Sequence, residues 1–242
     1  MKRLTVMLNE IATLRDLYPE SAFDPVQFGL LCEVAGATGL SLTLSGKNRG
    51  IQERDVRLLQ EIHKTFLNLH VPIESAAVKQ VLTLRPSMVT FVLTDERHPA
   101  RNLPVGQSDY MEGIAEYLPD LQANNISTAL YISPEINLLK ALSKLKIDYV
   151  ELDCSEFTGA ADSNEQLVGL DRLQSAALAA GKLGFGVNCL GGIGYPHLPE
   201  LLRIPHVEDI TLGLQLIQRA FIVGIKEAVS EGLQALRTFP QG

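Results

Sequence analysis

Eight short apolar segments, each followed by a segment with helical spacing, predict an α/β protein of the (β/α)8 barrel (TIM barrel) class. Segments such as MVTFVL and TALYIS are nearly all apolar or β-branched, which is typical of parallel strands covered on both faces. The chain has 242 residues, close to the ~250 residues of a typical barrel. An open dinucleotide-binding sheet would need GxGxxG after its first strand, where this chain has MLNEIATLR.

The predicted elements alternate regularly along the chain. We expect strands at Leu4–Leu8, Gly39–Leu44, Phe66–His70, Ser87–Leu93, Ser127–Ile132, Asp148–Leu152, Gly184–Asn188 and Glu208–Leu212. We expect helices at Pro25–Ala37, Glu53–Lys64, Ser75–Leu84, Ser108–Ala123, Pro134–Lys144, Asn164–Ala180, His197–Arg203 and from about Gly213 to Leu236. Start signals such as Asp24-Pro25 and Ser133-Pro134 support several of these helices.

Composition limits the domain count and the partners. No linker or break in composition appears, so we expect a single domain over residues 1–242. The net charge is -7 and no long basic run occurs, which argues against a nucleic-acid partner. No apolar run approaches the ~20 residues that cross a bilayer, and polar residues follow the start of the chain too soon for a signal peptide.

Cysteine and histidine spacing argues against a metal site. Cys32, Cys154 and Cys189 form no CxxC pair, and so sparse a set is typical of a reducing compartment. The histidines show neither HxH nor HExxH spacing. No P-loop or GxSxG motif is present. We therefore expect a cytoplasmic protein without a membrane partner, a metal or another cofactor.

Two polar residues stand out on the predicted strands. In a (β/α)8 barrel the ligand site lies at the carboxyl ends of the strands. Glu151 lies within YVELD, and its alternation with Tyr149 and Asp153 predicts that it points into the barrel. It is either a functional carboxylate or a member of an internal network with Asn68 and Asn188. His70 ends the third strand, where an imidazole suits proton transfer but is also a common hydrogen-bonding residue.

Glycines and one long loop mark the same end of the barrel. Gly191 and Gly192 follow the seventh strand and Gly213 follows the eighth, and these loops form the usual phosphate site of such barrels. Glycine also serves in plain tight turns. The polar segment Asp95–Gln107 follows the fourth strand, where an active-site loop is expected.

Several segments resemble the pyridoxine 5'-phosphate synthase family in order along the whole chain. They are IATLR at 11–15, DPVQ at 24–27, EVAGATG at 33–39, RDVRLL at 54–59, VN followed by GG at 187–192, and the run from Gly213 to Val229. The resemblance implies a (β/α)8 barrel and a homo-oligomer, a dimer or an octamer. It also implies condensation of 1-deoxy-D-xylulose 5-phosphate with 3-amino-2-oxopropyl phosphate.

The chain departs from that family at most positions to which the resemblance assigns chemistry. The resemblance implies histidines, arginines or acidic residues where this chain has Asn9, Glu10, Tyr18, Thr43, Ser45, Gly50, His70, Gly191 and Leu214. Loss of arginines removes bidentate phosphate binding, and loss of imidazoles removes proton transfer near neutral pH. Asn68, Glu151, Asn188, Gly192 and Gly213 match the family.

These observations support three hypotheses. The first is a barrel enzyme repurposed for another small polar metabolite, with or without a phosphate group, and with Glu151, His70 and Glu10 as catalytic residues. The second is a non-catalytic barrel that binds a ligand or a protein, and the third is the family reaction carried out by substituted residues. The predicted ligand-binding residues are Asn9, Thr43, Ser45, Lys47, Asn188, Gly191, Gly192 and Gly213.

Overall fold

Eight parallel strands close into a barrel, as predicted. The computed structural model describes residues 2–20, 23–44, 49–95, 98, 101–106 and 109–237, with the backbone alone for residues 109–112. The sheet runs in the order β3-β2-β1-β9-β8-β7-β6-β4-β5, and pairing of β3 with β4 closes it. The strands are β1 Arg3–Met7, β2 Gly39–Thr43, β3 Phe66–Pro72, β4 Met88–Thr94, β5 Asn102–Leu103, β6 Ser127–Ile132, β7 Tyr149–Asp153, β8 Gly186–Leu190 and β9 Val207–Leu212.

A short extra strand, β5, folds back over the end of β4. It pairs antiparallel, with Leu93 opposite Leu103 and Thr94 opposite Asn102. The segment lies inside the polar loop that the sequence places after the fourth strand. The sequence does not predict β5 because two residues give no periodic pattern. Its pairing brings the preceding Arg101 to the mouth of the barrel.

Helices surround the barrel, with more breaks than the sequence predicts. They are α1 Asn9–Leu17, α2 Pro25–Val34, α3 Glu53–Ile62, α4 Ser75–Leu84, α5 Asp109–Ala123, α6 Ile136–Leu142, α7 Ser155–Thr158, α8 Ser163–Lys182, α9 Leu198–Arg203, α10 Leu214–Val223 and α11 Ile225–Ala235. The predicted last helix is two helices, because Gly224 adopts φ +85 and ends α10. Among the described residues, no helix is both long and apolar enough to cross a membrane.

The two faces of the strands differ in polarity. Outward residues such as Leu40, Leu42 and Val71 belong to one large apolar core beneath the helices. The inward positions carry many buried polar side chains, which are Thr5, Ser41, Asn68, His70, Thr90, Glu151, Asn188, Asp209 and Thr211. Buried polar groups are costly without partners, so the barrel interior depends on internal hydrogen bonds.

Candidate functional site

A cavity of about 710 Å³ opens at the carboxyl ends of the strands. This is the end at which (β/α)8 barrels hold their ligands, and the volume suits a small molecule. Its polar lining consists of Glu10, His98, Arg101, Asn102, Tyr131, Asp153, Ser155, Thr158, Thr211 and Gln215. Its apolar lining includes Met7, Leu103, Leu190 and Ile193. Carboxylates and an arginine side chain therefore face the same space.

Glu10 is an acid on the wall of this cavity with a raised pKa. It lies in the first turn of α1, directly after β1, and is partly exposed to the cavity. Its Oε2 atom is buried and accepts no hydrogen bond from the described residues. Burial raises the pKa of the Glu10 carboxyl to about 7, while the backbone N–H groups of Glu10 and Leu214 act in the opposite direction. Such a carboxyl exchanges protons near neutral pH.

The Glu10 carboxylate lies close to Gly213 at the start of α10. A Cβ atom on Gly213 would lie 3.4 Å from Glu10 Oε1 and 3.7 Å from Oε2. The carboxylate thus lies directly against the residue that caps α10. This contact joins the loop after the eighth strand to the helix after the first.

Asp153 lies on another side of the cavity, and both of its carboxylate oxygens accept hydrogen bonds. The Tyr131 hydroxyl donates to its Oδ1 at 2.7 Å. The Ser155 hydroxyl donates to Oδ2 at 2.7 Å, and the Ser155 backbone N–H donates to Oδ1 at 3.0 Å. Burial, with a further contribution from Asp153, raises the pKa of the Tyr131 hydroxyl far above its usual range, so this hydroxyl remains a donor.

The glycine turn after β8 packs against that acid. Gly191 and Gly192 have φ +110 and +61, which residues with a side chain rarely adopt. A Cβ atom on Gly191 would lie 2.4 Å from Asp153 Oδ1, and one on Gly192 would lie 2.5 Å from Thr158 Oγ1. Close packing therefore requires both glycines.

Positive charge enters the cavity from the connection between β4 and β5. Arg101 and His98 both line it, and the His98 ring lies 3.2 Å from Asp95 Oδ2. The sequence patterns give neither His98 nor Arg101 a role in the site. Their loop is expected near the site, but loop geometry follows from tertiary pairing rather than from periodicity.

Asn9 and Thr43, both predicted to bind a ligand, bond to each other beside the cavity. Asn9 Nδ2 donates to Thr43 Oγ1 at 2.8 Å, and Asn9 Oδ1 accepts from the Thr43 backbone N–H at 2.8 Å. The Thr43 hydroxyl donates to Asn102 Oδ1 at 2.9 Å. Of these three hydrogen-bonded residues, only Asn102 lines the cavity.

His70 and Glu151 form a buried pair inside the barrel, below the cavity. His70 Nε2 lies 2.5 Å from Glu151 Oε2, and both side chains are at most 1% exposed. His70 Nδ1 lies 2.9 Å from the Ser41 hydroxyl. Neither member of the pair belongs to the cavity lining. The hydrogen-bonded series Ser41–His70–Glu151 is similar to a catalytic triad in connectivity, but Ser41 is fully buried and does not line the cavity.

The two partners that the sequence suggests for Glu151 make their hydrogen bonds with other residues. Asn68 Oδ1 accepts from the Thr90 hydroxyl at 2.9 Å. Asn188 is paired in register with Glu151, but its Nδ2 points to Met88 Sδ at 3.8 Å. Glu151 Oε1 and Asn188 Oδ1 are buried and accept no hydrogen bond from the described residues.

The structure therefore divides the predicted site residues into three groups. Glu10, Gly191, Gly192 and Gly213 line the cavity. The second group, which is buried and absent from the lining, is Asn9, Thr43, His70, Glu151 and Asn188. Ser45 and Lys47 lie outside the described residues. Within the described part of the chain, no three His, Cys, Asp or Glu side chains come together in a way that could hold a metal ion.

A closed parallel barrel with a polar cavity at the carboxyl ends of its strands defines a (β/α)8 barrel protein with a candidate small-molecule site. Solved structures of this class are similar over almost the whole chain. The N-(5'-phosphoribosyl)anthranilate isomerase of Pyrococcus furiosus has a TM-score of 0.63 at 14% identity, covering 99% of this chain and 100% of that one. A mutant tryptophan synthase alpha-subunit from the same organism has a TM-score of 0.64 at 12% identity, covering 98% of each chain.

Sequence comparison then defines the family. The model of the family described as pyridoxal phosphate biosynthesis protein PdxJ matches residues 4–238, and the chain belongs to that family. A pyridoxine 5'-phosphate synthase of Geobacter metallireducens is 31% identical over 237 residues, which cover 98% of this chain and 99% of that protein. One of Synechococcus sp. is 31% identical over 236 residues, with the same coverage.

Proposed function

We propose that this chain is a barrel enzyme that binds a small polar metabolite at its mouth and transfers protons through Glu10. The observation that carries the proposal is a carboxyl group with a pKa of about 7 on the wall of a cavity of about 710 Å³. A group that is partly protonated at neutral pH serves as an acid and as a base. Perturbed acids in clefts mark functional sites more often than chance.

The chemistry that fits this wall is proton abstraction next to a carbonyl, or loss of water from a hydroxy-carbonyl compound. The Glu10 carboxylate would accept the proton from carbon, and its protonated form would return one to a leaving hydroxyl. Arg101 faces the same cavity. Its guanidinium would stabilise negative charge that develops on the carbonyl oxygen.

His70 and Glu151 remain proposed members of this machinery, acting from below the cavity. Because their pair is sealed, it would supply or orient protons only through groups that do face the ligand. The isosteric variant Glu151→Gln tests this role, since it removes the carboxylate and keeps its shape. Lost turnover in a folded variant supports the role, whereas unchanged turnover restricts the pair to stabilising the barrel.

Hydrogen exchange tests the main proposal without a known product. Purified protein in D2O is incubated with a panel of small hydroxy- and amino-carbonyl compounds, with and without phosphate, and deuterium uptake at carbon is followed by NMR. We expect one class to exchange, and the variant Glu10→Gln to exchange about 10²–10⁴ times more slowly, the range typical of a lost acid–base group. The matched control is Glu116→Gln, which removes an exposed carboxylate from α5. Equal exchange in wild type and Glu10→Gln overturns the assignment.

The family reaction is a second candidate, favoured by the two relatives named above. Purified protein is given 1-deoxy-D-xylulose 5-phosphate and 3-amino-2-oxopropyl phosphate, and pyridoxine 5'-phosphate is measured. Clear turnover shows that the ancestral activity persists despite the altered positions. Absent turnover, together with exchange on another compound, supports a new substrate. Ligand binding without any exchange supports the non-catalytic barrel.

We also propose that the chain assembles into a homo-oligomer, as the resemblance implies. An apolar patch supports it. Tyr18 packs against Phe23 at 6.5 Å between ring centroids, and Phe23 packs against Phe221 at 6.3 Å. Phe221 and Ile222 are 63% and 76% exposed, and exposed apolar patches commonly mark protein interfaces. Light scattering of Phe221→Lys should show a smaller particle than the wild type; an unchanged mass argues against this surface.

The cytoplasmic location stays a prediction.

A further inference from the structure

The start of α10 is where a barrel of this class usually holds a phosphate group. The first N–H groups of a helix have no carbonyl partner within the helix, and the aligned peptide dipoles give this end a partial positive charge. α10 follows β9, the eighth strand of the barrel, and its first residue Leu214 lines the cavity together with Gln215. An anion on the ligand would be expected here.

In this protein a carboxylate of the chain lies at that position. Glu10 reaches across from α1, and its Oε1 lies 3.4 Å from where a Cβ atom of Gly213 would be. The Leu214 backbone N–H is close enough to the carboxyl to favour its charged form. The second oxygen, Oε2, is buried and accepts no hydrogen bond from the described residues.

We propose that Glu10 acts as a built-in anion at the start of α10, excluding phosphate from this subsite and selecting a ligand that places an amine or a hydroxyl there. A phosphate at the same N–H groups would stand against the Glu10 carboxylate, and two like charges in contact repel each other strongly when partly buried. A group that donates hydrogen bonds would instead be attracted to the carboxylate.

The opposite charge lies elsewhere in the cavity. Arg101 is the one arginine or lysine in the described part of the cavity lining. It comes from the connection between β4 and β5, not from the loops after the seventh and eighth strands. An acidic group of the ligand would therefore bind on that side. This inference rests on the proposed function for the presence of a ligand in the cavity, but its test requires no turnover.

The test is sulfate binding at pH 8, where Glu10 is mostly ionised. Sulfate is titrated into ¹⁵N-labelled protein, and the Leu214 and Gln215 amide shifts report occupation of the start of α10. We expect the wild type to show little binding and the variant Glu10→Ala to bind at least tenfold more tightly at these amides. The matched control is Asp153→Asn, which removes one carboxylate from the same cavity without freeing the helix.

Two outcomes of the titrations with Glu10→Ala and Asp153→Asn overturn the inference. One is wild-type binding at these amides as tight as in the variant. The other is an equal gain in Asp153→Asn, which would reflect net charge alone. Should thermal denaturation show that Glu10→Ala is unfolded, Glu10→Gln replaces it, with a smaller gain expected in the same direction. A Glu10→Gln variant that no longer catalyses hydrogen exchange at carbon, but binds sulfate no more tightly than the wild type, refutes this inference and leaves the proposed function intact.

Discussion

Two polar regions lie one above the other in this barrel. Each contains a glutamate, but the two glutamates differ in their hydrogen-bond partners and in their access to the cavity. The lower region holds His70 and Glu151, which bond to each other at 2.5 Å and are sealed from solvent. The upper region holds Glu10, which faces the cavity and keeps one buried oxygen without a hydrogen bond from the described residues. Access and pairing, rather than residue type, thus distinguish the acid that faces the ligand space directly from the pair that could act only through other groups.

Asp209 sharpens the comparison, because its acidity resembles that of Glu10. Burial raises the pKa of Asp209 to about 7, as it does for Glu10. Yet Asp209 accepts from the Thr5 hydroxyl at 2.9 Å and lies 3.2 Å from Arg3 Nε, near the amino ends of the strands. A shifted pKa alone would rank the two acids equally. They differ because Glu10 lines the cavity and Asp209 does not.

The largest effect on stability is expected in the sealed region. The variant Glu151→Leu should lower the free energy of unfolding by about 3–5 kcal/mol, because it leaves the buried His70 imidazole without its partner. Urea denaturation measures the change. The control Glu116→Leu, on an exposed helix surface, should stay within about 0.5 kcal/mol. A loss below about 1 kcal/mol in Glu151→Leu would show that the pair does not hold the barrel together.

A variant of Glu10, at the mouth of the barrel, is expected to change stability in the opposite direction. The folded state raises the pKa of Glu10 from 4.5 to about 7, so the folded protein keeps a proton that the unfolded chain releases between these values. This contribution to stability therefore falls as pH rises through that range, by up to about 3 kcal/mol. The variant Glu10→Gln should match the wild type near pH 4 and be more stable at pH 8. Denaturation at both pH values tests it, and equal stability at pH 8 would contradict the shift.

A smaller effect is expected at the glycine turn that supports Asp153. The variant Gly191→Ala should destabilise the protein by about 1–3 kcal/mol, because alanine is strained at φ +110. It should also displace Asp153, since the new Cβ atom would lie 2.4 Å from Oδ1. The matched variant Gly106→Ala should change little, because a Cβ atom there meets no described atom within 4 Å. Thermal denaturation of both variants makes the comparison, and equal changes would refute the packing argument.

The smallest effect is expected from one hydroxyl at the mouth. The variant Tyr131→Phe removes the hydrogen bond to Asp153 Oδ1 and should cost about 1 kcal/mol. Asp153 keeps both of its contacts with Ser155, so the carboxylate should stay in place. Urea denaturation gives the energy. A loss above about 3 kcal/mol would mean that the hydroxyl supports more than this one bond.

Much of the fold follows from the sequence alone. Strand alternation predicts that Glu151 points inward, and the apolar outer positions predict the covered barrel. The glycines after the seventh and eighth strands correctly mark the end that carries the cavity. These predictions succeed because they depend on local periodicity and on a regular architecture.

The partners across the barrel do not follow from the sequence. His70 and Glu151 are 81 residues apart, and only barrel closure brings the third strand to face the sixth. Arg101 reaches the mouth through the two-residue strand β5, whose pairing leaves no periodic signal. The packing of Glu10 against Gly213 likewise requires the first and eighth strands to be adjacent, as they are in the closed sheet.

The central claim is that the Glu10 carboxyl at the barrel mouth is poised for proton transfer near neutral pH. Its protonation is measured directly by ¹³C NMR of protein labelled at glutamate side-chain carboxyls, with Glu10→Gln used to assign the signal. Titration should give a midpoint near 7, following the raised pKa of this group. A midpoint near the ordinary glutamate value of 4.5 would contradict the account.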